Sequence, residues 1–545
     1  MKNFKYFYIV LITILFVGSC KQEPIVPTDP PVPAPAPTPG AGGASFTKFV
    51  AIGNSYVAGM QAGALFTDGQ KNSLPAIMAT QFALAGGGAF NQPSINATLG
   101  YNLFLSPNPG SDQRVLGRLL LQYGTSVDCV TGAPSAKPTP QKYALGNLEA
   151  VPNPNVNPAF IYAPGKTGLN NFGIPAIQLG QALIPQTGSW AAAAGGDPRF
   201  NPFYGRLAYP GTGASTIIGD AAAAGGSFFL FWLGLDDFFL YAANGGDPAK
   251  APLNTSGAFA AQYGAAIGVL LNSNANLKGV IANFPDIFVM PHFTAVAYNP
   301  IPLDATTAAL VSGGFAGYNA ALDGLIASSA VPAALKAELA TRKITFAAGC
   351  TNKIVISDET LTPLGPYFDI LKSAGAINDA QRGALKPYEL VRQTTASDVL
   401  PLATGSILGT TVGGNATLIY GVTVPLADQY CLIPTEIAEI KAARDAFNSA
   451  ITGIANSNAS RIALADVSSA MASLVTNKAA VMNGVTLTPN INPPTGIYSE
   501  DGVHPNTRGY AFISTVFIGA INAKFGSTIP LTDVSKYGAT GLPIK

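Results

Sequence analysis

The pattern of apolar and polar positions predicts strands at Phe46 to Ile52, Ser227 to Leu235, Val280 to Phe284, Ile344 to Ala348, Lys353 to Ile356 and Ile462 to Asp466. These are short apolar runs of strand-forming residues. Helical periodicity predicts helices over Ala258 to Leu271, Thr307 to Ala327, Glu436 to Asn456 and Thr507 to Phe525. Strands alternating with helices imply an α/β fold with a mainly parallel sheet covered on both faces. In such sheets the chemistry gathers at the carboxyl ends of the strands.

The apolar run at the N-terminus has a different meaning. Lys2 and Lys5 precede a stretch from Tyr6 to Val17 that is too short and wrongly flanked for a spanning helix, so residues 1–19 read as an export signal. The run ends in Val17-Gly18-Ser19-Cys20, which resembles the lipobox of bacterial lipoproteins and implies a lipidated Cys20 at the start of the mature chain. A thioether-linked diacylglycerol with an N-acyl chain exceeds what stable membrane attachment needs. The expected location is the cell envelope, with the outer membrane and surface exposure suggested by Lys21-Gln22-Glu23. Residues 20–44 are Pro-rich, then Gly-rich, and read as an extended tether. At about 3.1 Å per residue it spans on the order of 50 Å.

Roughly 500 residues follow from Ser45, enough for one large domain with insertions or two smaller domains. Charged residues make up only 11% of the chain, and losing Lys2 and Lys5 leaves 28 basic against 29 acidic residues, a net charge of −1. That balance argues against nucleic acid or an anionic surface as partner. Besides Cys20 there are Cys129, Cys350 and Cys431, without metal-ligand spacing; in an oxidising compartment a disulfide between Cys350 and Cys431 is expected.

Two segments carry candidate chemistry. Gly53-Asn54-Ser55 follows the first strand, so the Ser55 hydroxyl stands at a strand end near amide donors; Val57 excludes the Gly-x-Ser-x-Gly elbow. Ser499-Glu500-Asp501-Gly502-Val503-His504-Pro505-Asn506 precedes the last helix. A serine nucleophile needs a neutral imidazole to take its proton, and a carboxylate to fix the tautomer. Asp501 and His504, three residues apart on a turn, can meet. His292 has no acid beside it in Met290-Pro291-His292-Phe293 and is expected to be structural or to line a cleft.

Together with Gly234-Leu235-Asp236-Asp237 these blocks occur in the order typical of SGNH (GDSL-like) hydrolases, and the likeness runs from Phe46 to the C-terminus. The resemblance implies a three-layer αβα, flavodoxin-like core and hydrolysis of esters or thioesters without a metal or other cofactor. It makes Ser55 the nucleophile and one oxyanion donor through its amide, with Asp501 and His504 as the acid-base pair. Asn171-Phe172-Gly173-Ile174-Pro175-Ala176 resembles the second block, with Ala176 where a donating glycine is expected and Gly173 nearby. The chain is about twice the usual core length, and the surplus near 91–164 and 298–433 is expected to form loops or a cap shaping the cleft.

Two departures stand out. Asp236 occupies the position of the family's oxyanion-binding asparagine, and Asn54 that of an aspartate. An ionised Asp236 would repel an oxyanion. A protonated Asp236, or a donor supplied by Asp237 or a backbone amide, would restore the hole; otherwise catalysis is weakened. An Asp236/Asp237 metal site is disfavoured, because adjacent aspartates usually cap turns or helices. Two readings follow: a membrane-anchored serine esterase acting on a lipid, acylated-glycan or small ester, or a catalytically weakened lipoprotein of the same fold serving as an envelope binding or accessory module.

Overall fold

The computed structural model describes residues 37–98, 100–101, 117–123, 138–141, 162, 164–208 and 214–541. The expected signal segment, Cys20, the expected tether up to residue 36, Cys129 and much of the stretch 91–164 lie outside the described residues. One compact unit runs from Pro39 to Lys545. Its start is six residues earlier than the sequence suggests, because the glycine-rich segment around Gly40 to Gly43 docks on the end of the C-terminal helix. The Gly43 N–H donates to Phe525 O at 2.7 Å, and Gly40 O accepts from the Thr528 N–H at 2.9 Å. Among the described residues no helix is long and apolar enough to cross a membrane.

The centre is a five-stranded sheet of β1 (Phe49–Gly53), β2 (Asn171–Gly173), β3 (Phe228–Trp232), β4 (Lys278–Ala282) and β5 (Ile462–Ala465). All neighbours are parallel, in the order β5-β4-β3-β1-β2. Every residue of β1 and β3 is buried. Side chains alternate between faces along a strand, so both faces of the sheet centre are covered. This is an α/β fold. The chain leaves β1 in one direction across the sheet for β2 and in the other for β3, which puts the topological switch point at the carboxyl end of β1. Register sharpens that point, since Gly53 pairs with Gly173 on one side and with Trp232 on the other.

The helices that matter for the site are α1 (Ser55–Ala58), α2 (Leu74–Leu84), α3 (Ile217–Ala223), α4 (Asp236–Ala243), α5 (Ser256–Ser273), α6 (Pro434–Ser457), α7 (Val467–Asn477) and α8 (Thr507–Phe525). Helices α2, α7 and α8 pack together, as do α3, α5 and α6, and both groups touch the sheet. Phe259 of α5 stacks on Phe447 of α6 with ring centroids 3.9 Å apart. Helix α8 begins where the Asn506 side chain accepts from the Gly509 N–H, and ends at Gly526 in the left-handed conformation.

The stretch from 298 to 433 has its own apolar cluster, running from Ile301 to Ile433 and separate from the core around the sheet. Three expectations within it are corrected. Residues Ile344 to Ala348 are not a strand, because side chains rather than a neighbouring strand take their amides: Ile344 N–H donates to Asn319, Phe346 N–H to Ser312 and Ala347 N–H to Asn352. The helix expected over Thr307 to Ala327 is two, Ala305–Gly314 and Ala316–Ala327, broken after the poor helix formers Gly313 and Gly314. Cys431 is a free, buried thiol, whereas Cys350 is disulfide-bonded, so the Cys350–Cys431 pairing is wrong.

Candidate active site

Strand β1 ends at Gly53, where a Cβ would lie 2.3 Å from Val57 Cγ2 and 2.5 Å from Trp232 O. Only glycine lets the chain turn so tightly between β3 and α1. Asn54 then caps α1, accepting the Tyr56 N–H at 3.1 Å. Ser55 is therefore the first helical residue, and its amide, at the start of the turn, has no acceptor within the helix. Its side chain is nearly buried, at 5% exposure.

The loop before α8 brings the other two groups. His504 Nε2 lies 2.8 Å from Ser55 Oγ, and His504 Nδ1 lies 2.7 Å from Asp501 Oδ2. A carboxylate at Nδ1 keeps the proton there, which leaves Nε2 free to accept from the hydroxyl. Asp501 also accepts the Val503 and His504 N–H groups, both at 2.8 Å, and the Gly63 N–H at 2.5 Å. Burial pushes this carboxyl up, but His504 and the amides outweigh it and hold it down at about 2. Asp501 stays ionised at neutral pH.

Several residues that sequence reasoning did not single out hold this loop. Ser499 Oγ accepts the Ala62 N–H at 2.8 Å and donates to His504 O at 2.9 Å. Tyr56 donates its hydroxyl to Val503 O at 2.7 Å and sets its ring against His504, with centroids 5.5 Å apart. Burial raises the Tyr56 phenol well above its ordinary value, so it acts as a neutral strut. Only the position of Tyr56 beside Ser55 could have flagged it.

The remaining expected site residues fall around the same point. Gly173, at the end of β2, faces α1, where a Cβ would lie 2.3 Å from Ala58 N. Ala176 adopts φ +50°, the left-handed region that a glycine would occupy without strain, so the backbone path survives the side chain. Asp236 opens α4 and accepts Asn54 Nδ2–H at Oδ2, 2.6 Å away. Burial pushes Asp236 up to about 6, with the Asn54 bond and nearby His504 opposing. Asp237 is committed elsewhere, accepting the Leu179 N–H at 2.8 Å and Asn254 Nδ2–H at 2.7 Å; burial lifts it to about 7. It braces the 171–183 segment and does not line the pocket.

Asn54, Ser55, Ala176, Asp236 and His504 share one small pocket walled by Tyr56, Met60, Leu235, Phe239 and Val503. Its free volume of about 10 Å³ is the space of roughly one water molecule. His292 stands behind the wall: its ring packs on Phe239 and Phe293, its backbone N–H donates to Gly502 O at 3.0 Å, and burial pulls its imidazole down to about 4. Among the described residues the one acidic group close enough to share a metal ion is Glu359, Asp428 and Glu436, within 4.8 Å of one another and not including Asp236 or Asp237. Chemically, the pocket joins a hydroxyl, an imidazole acceptor and an ionised carboxylate in series, with the Ser55 amide alongside. No family model, curated protein or solved structure matches the chain.

Proposed function

We propose that the chain is a serine esterase with an SGNH-type, flavodoxin-like αβα core, held at the cell envelope through a lipidated Cys20. The observation that carries this reading is the unbroken series Ser55–His504–Asp501, at 2.8 and 2.7 Å, at the switch point of the sheet. His504 Nε2 removes the Ser55 proton as Oγ adds to the ester carbonyl. The tetrahedral oxyanion lies near the Ser55 and Ala176 amides. His504 then passes the proton to the departing alcohol, which leaves an acyl group on Ser55. Water, deprotonated by the same imidazole, releases the acid and restores the hydroxyl. No step needs a metal or cofactor.

Asp236 fits as a third donor in its neutral form. Its Oδ2 already accepts from Asn54, so a proton would sit on Oδ1. The ionised form instead favours the second reading, a binding module with weakened catalysis, because a carboxylate beside the oxyanion opposes its formation. Hydrolysis of p-nitrophenyl esters by the wild type and by Ser55→Ala separates the two. The esterase reading expects turnover that disappears with Ser55→Ala; a folded wild type inert to every ester supports the binding module.

A further inference from the structure

The stretch from 298 to 433 and the residues leading into it, Ala295 to Ala297, line a half-open cavity of about 580 Å³, far larger than the pocket at Ser55. Apart from Thr307 and the glycines Gly405 and Gly409, every lining side chain is aliphatic or proline, including Val296, Ile301, Leu303 and Val311. None is charged or aromatic. A wall of this kind offers no charged side chain to a phosphate or carboxylate headgroup, and no ring on which a sugar could stack. It suits a saturated hydrocarbon chain, whose burial is favourable in proportion to its length. Thr307, Leu310 and Val311 share one face of the helix Ala305–Gly314, and Leu310 is 76% exposed, continuing the apolar surface beyond the lining.

A layer of packed residues lies between the cavity and the Ser55 pocket. Phe239 walls that pocket and touches both His292 and Phe293. The helix carrying them, Pro291–Thr294, is pinned to the loop of Asp501 and His504 by the His292 backbone N–H to Gly502 O bond. The next residues, Ala295 and Val296, are already cavity wall. The single turn Pro291–Thr294 therefore links the loop of Asp501 and His504 to the aliphatic surface.

We propose that this cavity binds the aliphatic chain of the ester substrate, making the protein selective for long-chain over short-chain acyl esters. The inference rests on the esterase reading for the word substrate, but the binding itself can be measured without turnover. Dodecanoate, which cannot be hydrolysed, is the probe, with the full chain titrated by equilibrium dialysis. Two variants obstruct the cavity. Gly405→Phe grows a side chain toward Val296, whose Cγ2 lies 3.4 Å from where a Cβ would stand. Ala297→Asp places a charge at an exposed wall residue, where folding is least affected.

Displacing two methylenes at about 0.8 kcal/mol each weakens binding more than tenfold. Saturable binding of dodecanoate that both variants weaken by about that factor supports the proposal. A matching fall in the ratio of kcat/KM for p-nitrophenyl dodecanoate over acetate assigns the chain to the substrate. No saturable binding, or binding that neither variant changes, overturns the proposal even if esters are cleaved. Cavity-dependent binding in a protein that cleaves no ester leaves the hydrocarbon site standing and removes the esterase reading instead.

Discussion

Exchanging Asp236 for asparagine keeps the shape of the side chain and removes its titration. In the folded protein burial holds the Asp236 carboxyl at about 6, against an ordinary value of 3.8. Only the neutral acid can donate to an oxyanion, so productive wild type falls tenfold for each pH unit above 6, a cost of about 1.4 kcal/mol per unit. An asparagine side chain can turn its oxygen to Asn54 Nδ2–H and its amide to the pocket at any pH. The ratio of kcat/KM for Asp236→Asn over wild type should therefore be near one below pH 6. It should reach about tenfold at pH 7 and about a hundredfold at pH 8. The assay is hydrolysis of one p-nitrophenyl ester from pH 5.5 to 8.5. A ratio that stays flat across that range, or that remains below one, refutes the protonated-donor argument.

Other consequences can be checked alongside. The same shift links to stability: folded Asp236 binds its proton more tightly than the unfolded chain does, so wild-type stability is full below about pH 4 and declines as pH rises to about 6. In urea denaturation Asp236→Asn should gain on wild type over that window, by up to about 3 kcal/mol; a difference independent of pH contradicts it. Asn54→Asp places two carboxyl groups where one bond of 2.6 Å now stands. It should lower both activity and melting temperature, with recovery in the Asn54→Asp/Asp236→Asn double variant as the diagnostic coupling. Ala176→Gly relieves a left-handed φ of +50° and should raise stability by up to about 1 kcal/mol in thermal denaturation with turnover retained. Asp501→Asn loses the group that fixes the His504 tautomer, and kcat should fall by about 10⁴ while circular dichroism stays native.

Much of this arrangement is legible in the sequence because it depends on local signals. Short apolar runs mark β1, β3, β4 and β5, and α8 has the same limits in sequence and structure because Asn506 and Gly526 punctuate both ends. Ser55, Asp501 and His504 stand out because histidine is scarce and the Asp-x-x-His turn is compact. What was not legible depends on partners far away in the chain. The three-residue β2 is too short for periodicity and becomes a strand only by pairing with β1. The amides of Ile344 to Ala347 are satisfied by side chains from four separate segments, so a strand-like sequence yields a loop. The Asn54–Asp236 bond links residues 182 positions apart, and no single motif announces it. The pairing of Cys350 and Cys431 failed for the same reason, since cysteine spacing says nothing about proximity.

The central claim is that Ser55 is an activated nucleophile in the folded protein, and covalent capture tests it without knowing the substrate. The full chain is treated with a fluorophosphonate and the adduct located by peptide mass spectrometry. The account predicts one adduct per chain, on Ser55, absent in Ser55→Ala and formed far more slowly in His504→Ala. Folded wild-type protein left unmodified at Ser55, or modified equally fast without His504, would contradict it.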